Sequence, residues 1–257
     1  MSKSSKYLIS TLVIGEEIEE IAKITVPRIE AYAKRVGADF IVLGKTTISD
    51  QLSPYFEKMQ LFGYLDHYEQ ILFIDADILI TPRAANLFEY CADDMVSAVS
   101  VNNVYKDVNT EHENLASLLG EVDWTLPYFN SGVVMFTQQH RALLNTTDGL
   151  IEKWIEGKAR TNKRGLNDQS IFNYRVNQLK IPMNYIDKSF NFTKAWGLFE
   201  HRFSMNFIHY AGMKGQRLKR ISLDSRILNK PSLFFLCKQL PLLTKIFDKI
   251  ASKVLMS

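Results

Sequence analysis

Residues 71–80, ILFIDADILI, place two aspartates one residue apart inside an otherwise apolar run. A buried carboxylate without a partner is costly, so such a run folds stably only if something compensates Asp75 and Asp77. On a single strand the two side chains would project to the same face, and the small Ala76 between them would let a ligand approach the backbone. Two oxygen ligands on one face suit Mg²⁺ or Mn²⁺ carrying a diphosphate.

A second interpretation of the two aspartates needs no ligand. They would mark the carboxyl end of the strand, where they are solvated or cap the turn before Pro82. A DxD pattern alone is short and often arises by chance, so the metal interpretation depends on what else the sequence contains.

The order of apolar segments predicts an α/β fold. KYLISTLVI and DFIVL are typical of buried strands, and between them a helix over residues 16–36 ends at Gly37 and is kinked or divided at Pro27. A second helix over residues 54–68 leads into the aspartate-containing strand, and this alternation favours a mainly parallel sheet flanked by helices. The later predicted elements are a helix beginning at Thr81 and Pro82, strands in DDMVSAVSV and YFNSGVVMFT, a helix capped by Asn167, and a short strand in FIHYAG.

Composition limits the class of protein. With 257 residues, 46% of them hydrophobic, the chain can form one large domain or a domain with an appendage. The formal net charge of +3 is too small to indicate nucleic acid as the main partner. Cys91 and Cys237 form no metal-binding or disulfide pattern, and no apolar stretch approaches the ~20 residues of a membrane-spanning helix. We therefore expect a cytoplasmic protein.

The basic charge is concentrated at the C-terminus. Residues 214–257 contain ten Lys or Arg against two Asp, a net of +8, so the preceding residues carry −5 of the total of +3. We divide the chain into a main domain, residues 1–220, and a basic amphipathic helical segment, residues 221–257. Such a segment either lies on the inner face of an anionic membrane as a peripheral anchor, or packs on the domain with its lysines in solvent.

Three further motifs carry side chains suited to a sugar or a phosphate. FNSG, residues 129–132, opens a strand with an amide and a hydroxyl beside a glycine. NDQSIFN, residues 167–173, sets Asp168 and Gln169 in the first turn of a helix, where the helix dipole stabilises a carboxylate. HYAGMK, residues 209–214, combines an imidazole, a glycine turn and a lysine, groups that bind metals and phosphate. Each motif alone is usually structural, but their combination is improbable by accident.

Together these segments resemble a known family. FEKMQ, FIDADILI, FNSGVVMF, NDQSIFN and HYAGMKG, in this order over roughly residues 6–216, resemble the retaining glycosyltransferases of the glycogenin and bacterial lipooligosaccharide galactosyltransferase kind. These enzymes have the Rossmann-like GT-A fold. The resemblance implies that Asp75, Asp77 and His209 bind Mn²⁺ or Mg²⁺. The catalytic residues that it implies are Asp168, Gln169 and Lys214. The substrate-binding residues that it implies are Thr11, Lys58, Asp75, Ala76, Asp77, Asn130, Ser131, Asp168, Gln169, His209, Gly212 and Lys214.

Individual roles follow from the same resemblance. Asp75 would also contact the ribose, Lys58 would reach the donor sugar or phosphate, and Thr11 would face the nucleotide base. Gly212 would allow close approach to the diphosphate, and Lys214 would stabilise the leaving nucleoside diphosphate. The turn from Gly212 to Lys214 departs from the family pattern, because it is one residue shorter and lacks the aromatic residue that usually follows.

The expected reaction is metal-dependent transfer of a hexose from a UDP-sugar to a hydroxyl of a saccharide or glycolipid acceptor, with retention of the anomeric configuration. Asp168 would act as a covalent nucleophile or would stabilise the sugar during a front-face displacement. Tyr185 is either a site of self-glycosylation or a packed side chain. Two alternatives stay open: a haloacid-dehalogenase-like phosphohydrolase, which also carries DxD after an apolar strand, and a non-catalytic module that binds sugar nucleotides.

Overall fold

The computed structural model describes residues 5–48, 52–161, 166–213 and 215–256. Its strands are β1 Tyr7–Leu12, β2 Asp39–Leu43, β3 Gln70–Ile74, β4 Ile78–Ile80, β5 Val96–Ser100, β6 Phe129–Thr137, β7 Met183–Tyr185 and β8 Phe207–His209. A six-stranded sheet has the order β2-β1-β3-β6-β5-β7, and β4 pairs with β8 in a separate sheet. In the six-stranded sheet every strand except β6 runs in the same direction. The predicted mainly parallel α/β sheet is confirmed.

Helices cover both faces of this sheet. The α-helices are α1 Glu16–Val36, α2 Val108–Leu119, α3 Leu150–Thr161, α4 Asn167–Gln178, α5 Arg217–Leu228, α6 Pro231–Gln239 and α7 Pro241–Met256. Short 3₁₀ helices span Pro54–Asp66, Leu87–Tyr90, Gln138–Leu144, Lys188–Phe190, Lys194–Trp196 and Phe199–Ser204. None of the described helices has the length and hydropathy needed to cross a bilayer.

The central strand β3 shows why its sequence is continuously apolar. Ile71 and Phe73 point to one side of the sheet, into a core shared with α3 and α4, whereas Leu72 and Ile74 point to the other side, where they join a second core with Tyr32 of α1. All four side chains are fully buried, as expected for a strand covered by helices on both faces.

The apolar run 71–80 is not one strand, contrary to the prediction. β3 ends at Ile74, the residues Asp75 to Asp77 form a turn, and β4 leaves the central sheet to pair antiparallel with β8. The turn is closed locally by the amide of Ile78, which donates to the carbonyl of Asp75 (3.2 Å). Because the chain turns away here, the two carboxylates avoid the apolar interior between β1 and β6.

Helix α1 largely follows its sequence signals. It ends at Gly37, whose φ of 74° places it in the left-handed region and whose amide donates to the carbonyls of Ala33 and Lys34. The helix continues through Pro27 as a single element, so the expected division is absent.

Three other local predictions hold only in part or differ from the structure. The helix predicted over residues 54–68 forms over residues 54–66, as a 3₁₀ helix. Thr81 does not cap a helix, because its hydroxyl donates to the carbonyl of Met205 (3.0 Å), and the next helical turn begins after Asn86, which caps it. Helix α4 has Leu166 at its N-cap, and the Asn167 side chain instead accepts a hydrogen bond from Lys158 (2.9 Å). In the last two cases the side chain bonds to a residue outside the expected helix instead of capping it.

The C-terminal helices pack on the main body. Ile221 and Leu228 of α5 and Phe234 of α6 share a buried cluster with Ile21 of α1 and Leu79 of β4. The predicted boundary after residue 220 falls inside α5.

A buried ion network joins the last helix to this body. Arg202 is fully buried and pairs with Asp224 of α5 (2.5 Å) and Asp248 of α7 (2.8 Å). Helix α7 still exposes Leu242 and Phe247, so the tail is only partly covered by the body.

Candidate active site

The turn Asp75–Ala76–Asp77 is held in place by main-chain hydrogen bonds from two other elements. The amide of Asp75 donates to the carbonyl of Gly132 in β6 (2.7 Å), and the amide of Tyr210, just after β8, donates to the carbonyl of Asp77 (3.1 Å). The turn therefore lies at the carboxyl end of β3, between the entry of β6 and the end of β8. Ligands of open α/β sheets commonly bind at such an edge.

His209 joins the two aspartates at this edge. Its Nε2 lies 3.2 Å from Oδ1 of Asp77 and 3.7 Å from Oδ2 of Asp75. One ligand atom from each of the three side chains can be chosen so that all lie within 4.8 Å of one another, and no other described residues form such a group. The predicted metal-ligand set therefore combines two neighbouring aspartates with a histidine that lies 132 positions after Asp77 in sequence.

Gly132 makes room for this cluster. A Cβ at this position would lie 2.5 Å from Cε1 of His209 and 2.8 Å from Oδ2 of Asp75, closer than side-chain contacts allow. The glycine of the FNSG motif is thus needed for close approach of the imidazole and the carboxylate.

Opposite charges are balanced across the cluster. Burial alone would raise the pKa of Asp77, but the adjacent His209 and Arg217 lower it to about 2. Burial raises the pKa of Asp75 despite the attraction of Lys58 and His209. Burial would lower the pKa of His209, yet Asp77 and then Asp75 raise it. Two neighbouring acids thus depend on nearby cations, an environment that also favours a bound metal ion.

Lys58 links the metal-ligand cluster to the helix that carries Asp168. Its ammonium is buried and lies 2.6 Å from Oδ2 of Asp168 and 3.2 Å from Oδ1 of Asp75. It also donates to the carbonyl of Ser131 (3.2 Å). Burial would lower the pKa of Lys58, but the two carboxylates, led by Asp168, raise it. The lysine therefore stays charged between the two acids.

The entry of β6 and the first turn of α4 form the adjoining wall. Asn130 Nδ2 donates to Oε1 of Gln169 (2.9 Å), and the amide of Ser131 donates to the same oxygen (3.3 Å). The Ser131 hydroxyl donates to Oδ2 of Asp168 (2.8 Å). The four predicted residues of FNSG and NDQSIFN thus form one hydrogen-bonded unit beside the acids.

Other predicted residues stand apart from this unit. Ala76 is buried within the turn, and Gly212 adopts a left-handed conformation, with φ of 74°, three residues after His209. Thr11 is fully buried and its hydroxyl has no hydrogen-bond partner among the described residues. Lys214 lies outside the described residues.

The side chain of Tyr185, the candidate for self-glycosylation, is held by a hydrogen bond. Its hydroxyl donates to the carbonyl of Pro127 (2.8 Å), and burial raises its pKa. The geometry favours the interpretation of Tyr185 as a packed side chain.

Two polar residues of the site were missed from the sequence. Arg217, the first residue of α5, places Nη1 3.0 Å from Oδ2 of Asp77 and also pairs with Glu17 (2.9 Å). Asn191 lies between His209 and Asn130 and hydrogen-bonds to both (2.7 Å each). The only sequence signal for Arg217 was its position shortly after HYAGMK, and Asn191 had none.

The sequence of this chain is similar to one known protein family over most of its length. The sequence profile described as glycosyl transferase family 8 matches residues 15–215, which include every predicted site residue except Thr11. The chain belongs to glycosyltransferase family 8. It is a glycosyltransferase, and the resemblance noted in the sequence is confirmed. A comparison with curated proteins found no match for this family 8 chain.

Solved structures give the same fold. The galactosyltransferase LgtC, in complex with donor and acceptor sugar analogues, superposes with a TM-score of 0.55 at 14% identity, over 85% of this chain and 95% of that one. A glycosyltransferase involved in glycosylation of the major capsid of PBCV-1 gives a TM-score of 0.54 at 14% identity, over 84% and 98% of the two chains. These likenesses confirm the GT-A fold of the family 8 chain.

The donor set of the site fits a divalent cation. Two carboxylates and one imidazole offer hard oxygen and borderline nitrogen ligands, which suit Mn²⁺ and, less well, Mg²⁺. The space that a Cβ of Gly132 would fill lies against two of the three ligands. The residues present are therefore compatible with the metal that the family implies.

Proposed function

We propose that this family 8 glycosyltransferase transfers a hexose from a UDP-sugar to a hydroxyl of a saccharide or glycolipid, with retention and with a divalent metal ion. The observation that supports this most directly is the cluster of Asp75, Asp77 and His209 next to the unit of Asn130 and Gln169. One half offers ligands for a metal with its diphosphate, and the other offers amides for sugar hydroxyls.

Transfer breaks the bond between the anomeric carbon and the diphosphate oxygen, which keeps the electron pair, and forms a bond to the acceptor oxygen, whose proton passes to the departing diphosphate. A bound cation supplies charge neutralisation for the departing diphosphate. The chain adds cations of its own: Arg217 beside Asp77 and, by the family resemblance, Lys214. Such preorganised charges stabilise a developing negative charge without reorganisation.

Asp168 is proposed to face the positive character that develops on the sugar ring. Lys58 and Ser131 both contact its Oδ2, so Oδ1 is the oxygen that these two contacts leave for the donor. Gln169 and Asn130 would orient the sugar hydroxyls. Both the covalent and the front-face route place Asp168 close to the anomeric carbon, and both agree with this geometry.

Membership of family 8 bears differently on the two alternative functions, the phosphohydrolase and the non-catalytic binding module. The phosphohydrolase interpretation loses its support, because the DxD segment lies within a family 8 match. A binding module without catalysis remains as an outcome of the experiment, since it would bind nucleotide and metal but release no UDP from a donor.

Thermal unfolding tests ligand binding. The protein is measured with UDP, with Mn²⁺, with both, and with both plus EDTA. At about 100 times Kd a ligand adds about 2.7 kcal/mol, roughly 5–10 °C for a domain of this size. A shift that needs both ligands, vanishes in Asp77→Asn and persists in the exposed control Asp123→Asn supports the proposal. An equal shift in both variants contradicts it.

Turnover separates the enzyme from the binding module. UDP release is followed with a panel of UDP-hexoses and saccharide acceptors, and the anomeric configuration of any product is read by NMR. Metal-dependent release that Asp77→Asn abolishes supports the transferase. Binding of UDP without release from any donor favours the module, and an inverted product contradicts retention.

The C-terminal helix α7 supports a location of the protein at a membrane surface. Helix α7 exposes Leu242, Ile246 and Phe247 next to Lys245 and Lys249. Apolar residues beside lysines match the chemistry of an anionic bilayer surface, so we place a cytoplasmic protein on the inner face of a membrane that carries its glycolipid acceptor. The product would then be part of a cell-surface glycan.

Flotation with vesicles tests this location. Wild-type protein should float with vesicles containing phosphatidylserine and less with purely zwitterionic vesicles. The double variant Leu242→Gln and Ile246→Gln should lose flotation, whereas Val42→Gln, an exposed apolar residue on β2, should not. Equal flotation of all three proteins contradicts a membrane role for α7.

A further inference from the structure

We propose that Asn191 is a positioning residue that fixes the ring tautomer of His209 and joins the sugar-facing amides to the metal-ligand cluster. This inference rests on the metal site of the proposed function. It comes from a chain of hydrogen bonds that starts at a main-chain amide and passes through two side-chain amides to the imidazole.

The orientation of the first amide follows from the backbone. The main-chain N–H of Gly132 donates to Oδ1 of Asn130 (2.9 Å), and a main-chain N–H can only donate. Nδ2 of Asn130 therefore points the other way, toward Oε1 of Gln169 (2.9 Å). The main-chain N–H of Ser131 also donates to this Oε1 (3.3 Å), which independently supports the assignment.

The orientation of the Asn191 side-chain amide follows from that of Asn130. Nδ2 of Asn191 donates to Oδ1 of Asn130 (2.7 Å), so Oδ1 of Asn191 must be the atom that faces Nδ1 of His209 (2.7 Å). An amide oxygen accepts and does not donate, so Nδ1 carries a proton. In the neutral ring, the unprotonated position available to a metal is then Nε2, which is the ring atom that faces Asp75 and Asp77.

Burial prevents water from replacing these contacts. Asn191 is 1% exposed and His209 is 2% exposed. If the Asn191 amide were reversed, its oxygen would face the Asn130 oxygen and its NH₂ group would face the imidazole. Leaving buried groups unpaired in this way is costly, so one orientation dominates.

The backbone around Asn191 is also pinned to β8. The amide of Phe192 donates to the carbonyl of Phe207 (3.1 Å), and the amide of His209 donates to the carbonyl of Phe192 (2.9 Å). Asn191 and His209 are thus held on two paired segments, so their side chains keep a fixed separation. A metal-binding histidine usually has such a partner on its second nitrogen.

The chain of amides has a consequence for the reaction. Asn130 and Gln169 are the proposed contacts of the sugar hydroxyls, and Asn191 connects them directly to a proposed metal ligand. A variant at residue 191 can therefore separate the two halves. Asn191→Asp keeps an acceptor for His209 but loses the donor to Asn130, whereas Asn191→Leu loses both.

Mn²⁺ affinity tests the connection without turnover. Free Mn²⁺ is titrated by EPR in the absence of nucleotide. Asn191→Leu is expected to lose about 10–100-fold in affinity, as is typical when the partner of a metal ligand is removed, and Asn191→Asp should recover most of that loss. The control Asn177→Leu removes another buried asparagine, which bonds to Leu126 and Asn173, and should keep wild-type affinity.

The tautomer is measured directly in the wild-type protein. Long-range proton–nitrogen NMR of histidine-labelled, metal-free protein, at a pH where the ring is neutral, should show the Nδ1–H form for His209. His140 gives the opposite reference in the same spectrum, because its Nδ1 accepts the amide of Thr137 (3.2 Å). Loss of the His209 signal in His209→Gln assigns it.

The outcomes separate this inference from the proposed function. An Nε2–H tautomer for His209 in the wild type overturns the inference, even if Asn191→Leu fails to fold. Unchanged Mn²⁺ affinity in a folded Asn191→Leu also overturns it. If the wild type binds no Mn²⁺ at all, the metal assignment fails, and the NMR measurement still decides the role of Asn191.

Discussion

Nζ of Lys58 and Oδ2 of Asp168 are 2.6 Å apart in an ion pair whose two side chains are almost fully buried. The lysine comes from a 3₁₀ helix before β3 and the aspartate from the first turn of α4, 110 residues later. A second carboxylate, Asp75, lies 3.2 Å from the same ammonium. Lys58 is therefore the cation that lets two acids occupy neighbouring positions in the site.

Replacing Lys58 tests whether Asp75 and Asp168 depend on its positive charge. In Lys58→Met the buried Asp168 and the partly buried Asp75 lose their shared cation, so the metal-free protein should lose about 3 kcal/mol of unfolding free energy, as when one partner of a buried pair is removed. Mn²⁺ should restore more stability to the variant than it adds to the wild type, because it compensates Asp75. Denaturant unfolding with EDTA and with Mn²⁺ measures both effects.

The matched control is Lys6→Met, which breaks the exposed contact between Lys6 and Glu69 (3.3 Å). Exposed pairs contribute little, so this variant should unfold like the wild type. Equal unfolding free energies for Lys58→Met and the wild type would show that the buried pair is not needed for folding.

Gly132→Ala should disturb the site by steric overlap, with no change of charge. The added Cβ would meet Cε1 of His209 at 2.5 Å and Oδ2 of Asp75 at 2.8 Å, and both belong to packed groups. We expect a loss of about 1–3 kcal/mol of stability and a loss of at least about tenfold in Mn²⁺ affinity. Gly63→Ala, where a Cβ meets nothing within 4 Å, is the control and should change neither quantity.

The sequence predicted the ligands of this site better than their support. Asp75 and Asp77 stand out locally, because carboxylates in an apolar run require compensation. Asn191 and Arg217 act across 61 and 140 residues, on Asn130 and Asp77 respectively, and their own neighbours in sequence give no such signal. Their roles appear only once the fold has brought the segments together.

The same limit explains the error over the strand at residues 71–80. Hydrophobicity marked both halves correctly as buried strands, but the partner of Ile78–Ile80 is Phe207–His209, far along the chain. A local pattern cannot show which sheet a segment joins. Gly37, by contrast, was identified correctly because a helix end of this type depends on a single residue's φ.

Arg217 is expected to affect metal and nucleotide in opposite directions. Its guanidinium contacts Oδ2 of Asp77 (3.0 Å), so Arg217→Gln should strengthen the binding of Mn²⁺ alone by removing a neighbouring positive charge. The same variant should weaken UDP binding in the presence of Mn²⁺ by about tenfold, because the diphosphate loses a charged donor. Calorimetric titrations with each ligand check both signs.

The control for this comparison is Arg83→Gln, an exposed arginine outside the site, which should leave both affinities unchanged. If Arg217→Gln weakens Mn²⁺ and UDP equally, the arginine only orients Asp77. If it changes neither affinity, Arg217 has no part in ligand binding.

The metal-free protein should become less stable as pH rises above 6.5, the ordinary pKa of a histidine. Asp77 and Asp75 raise the folded-state pKa of His209 above its ordinary value of 6.5. A raised pKa contributes stability that is fully present below the unfolded value of 6.5 and is lost as pH rises through the folded value. Thermal unfolding in EDTA should therefore show a midpoint that falls over this range. His209→Gln should flatten that fall, and an unchanged slope in the variant would mean that another group causes it.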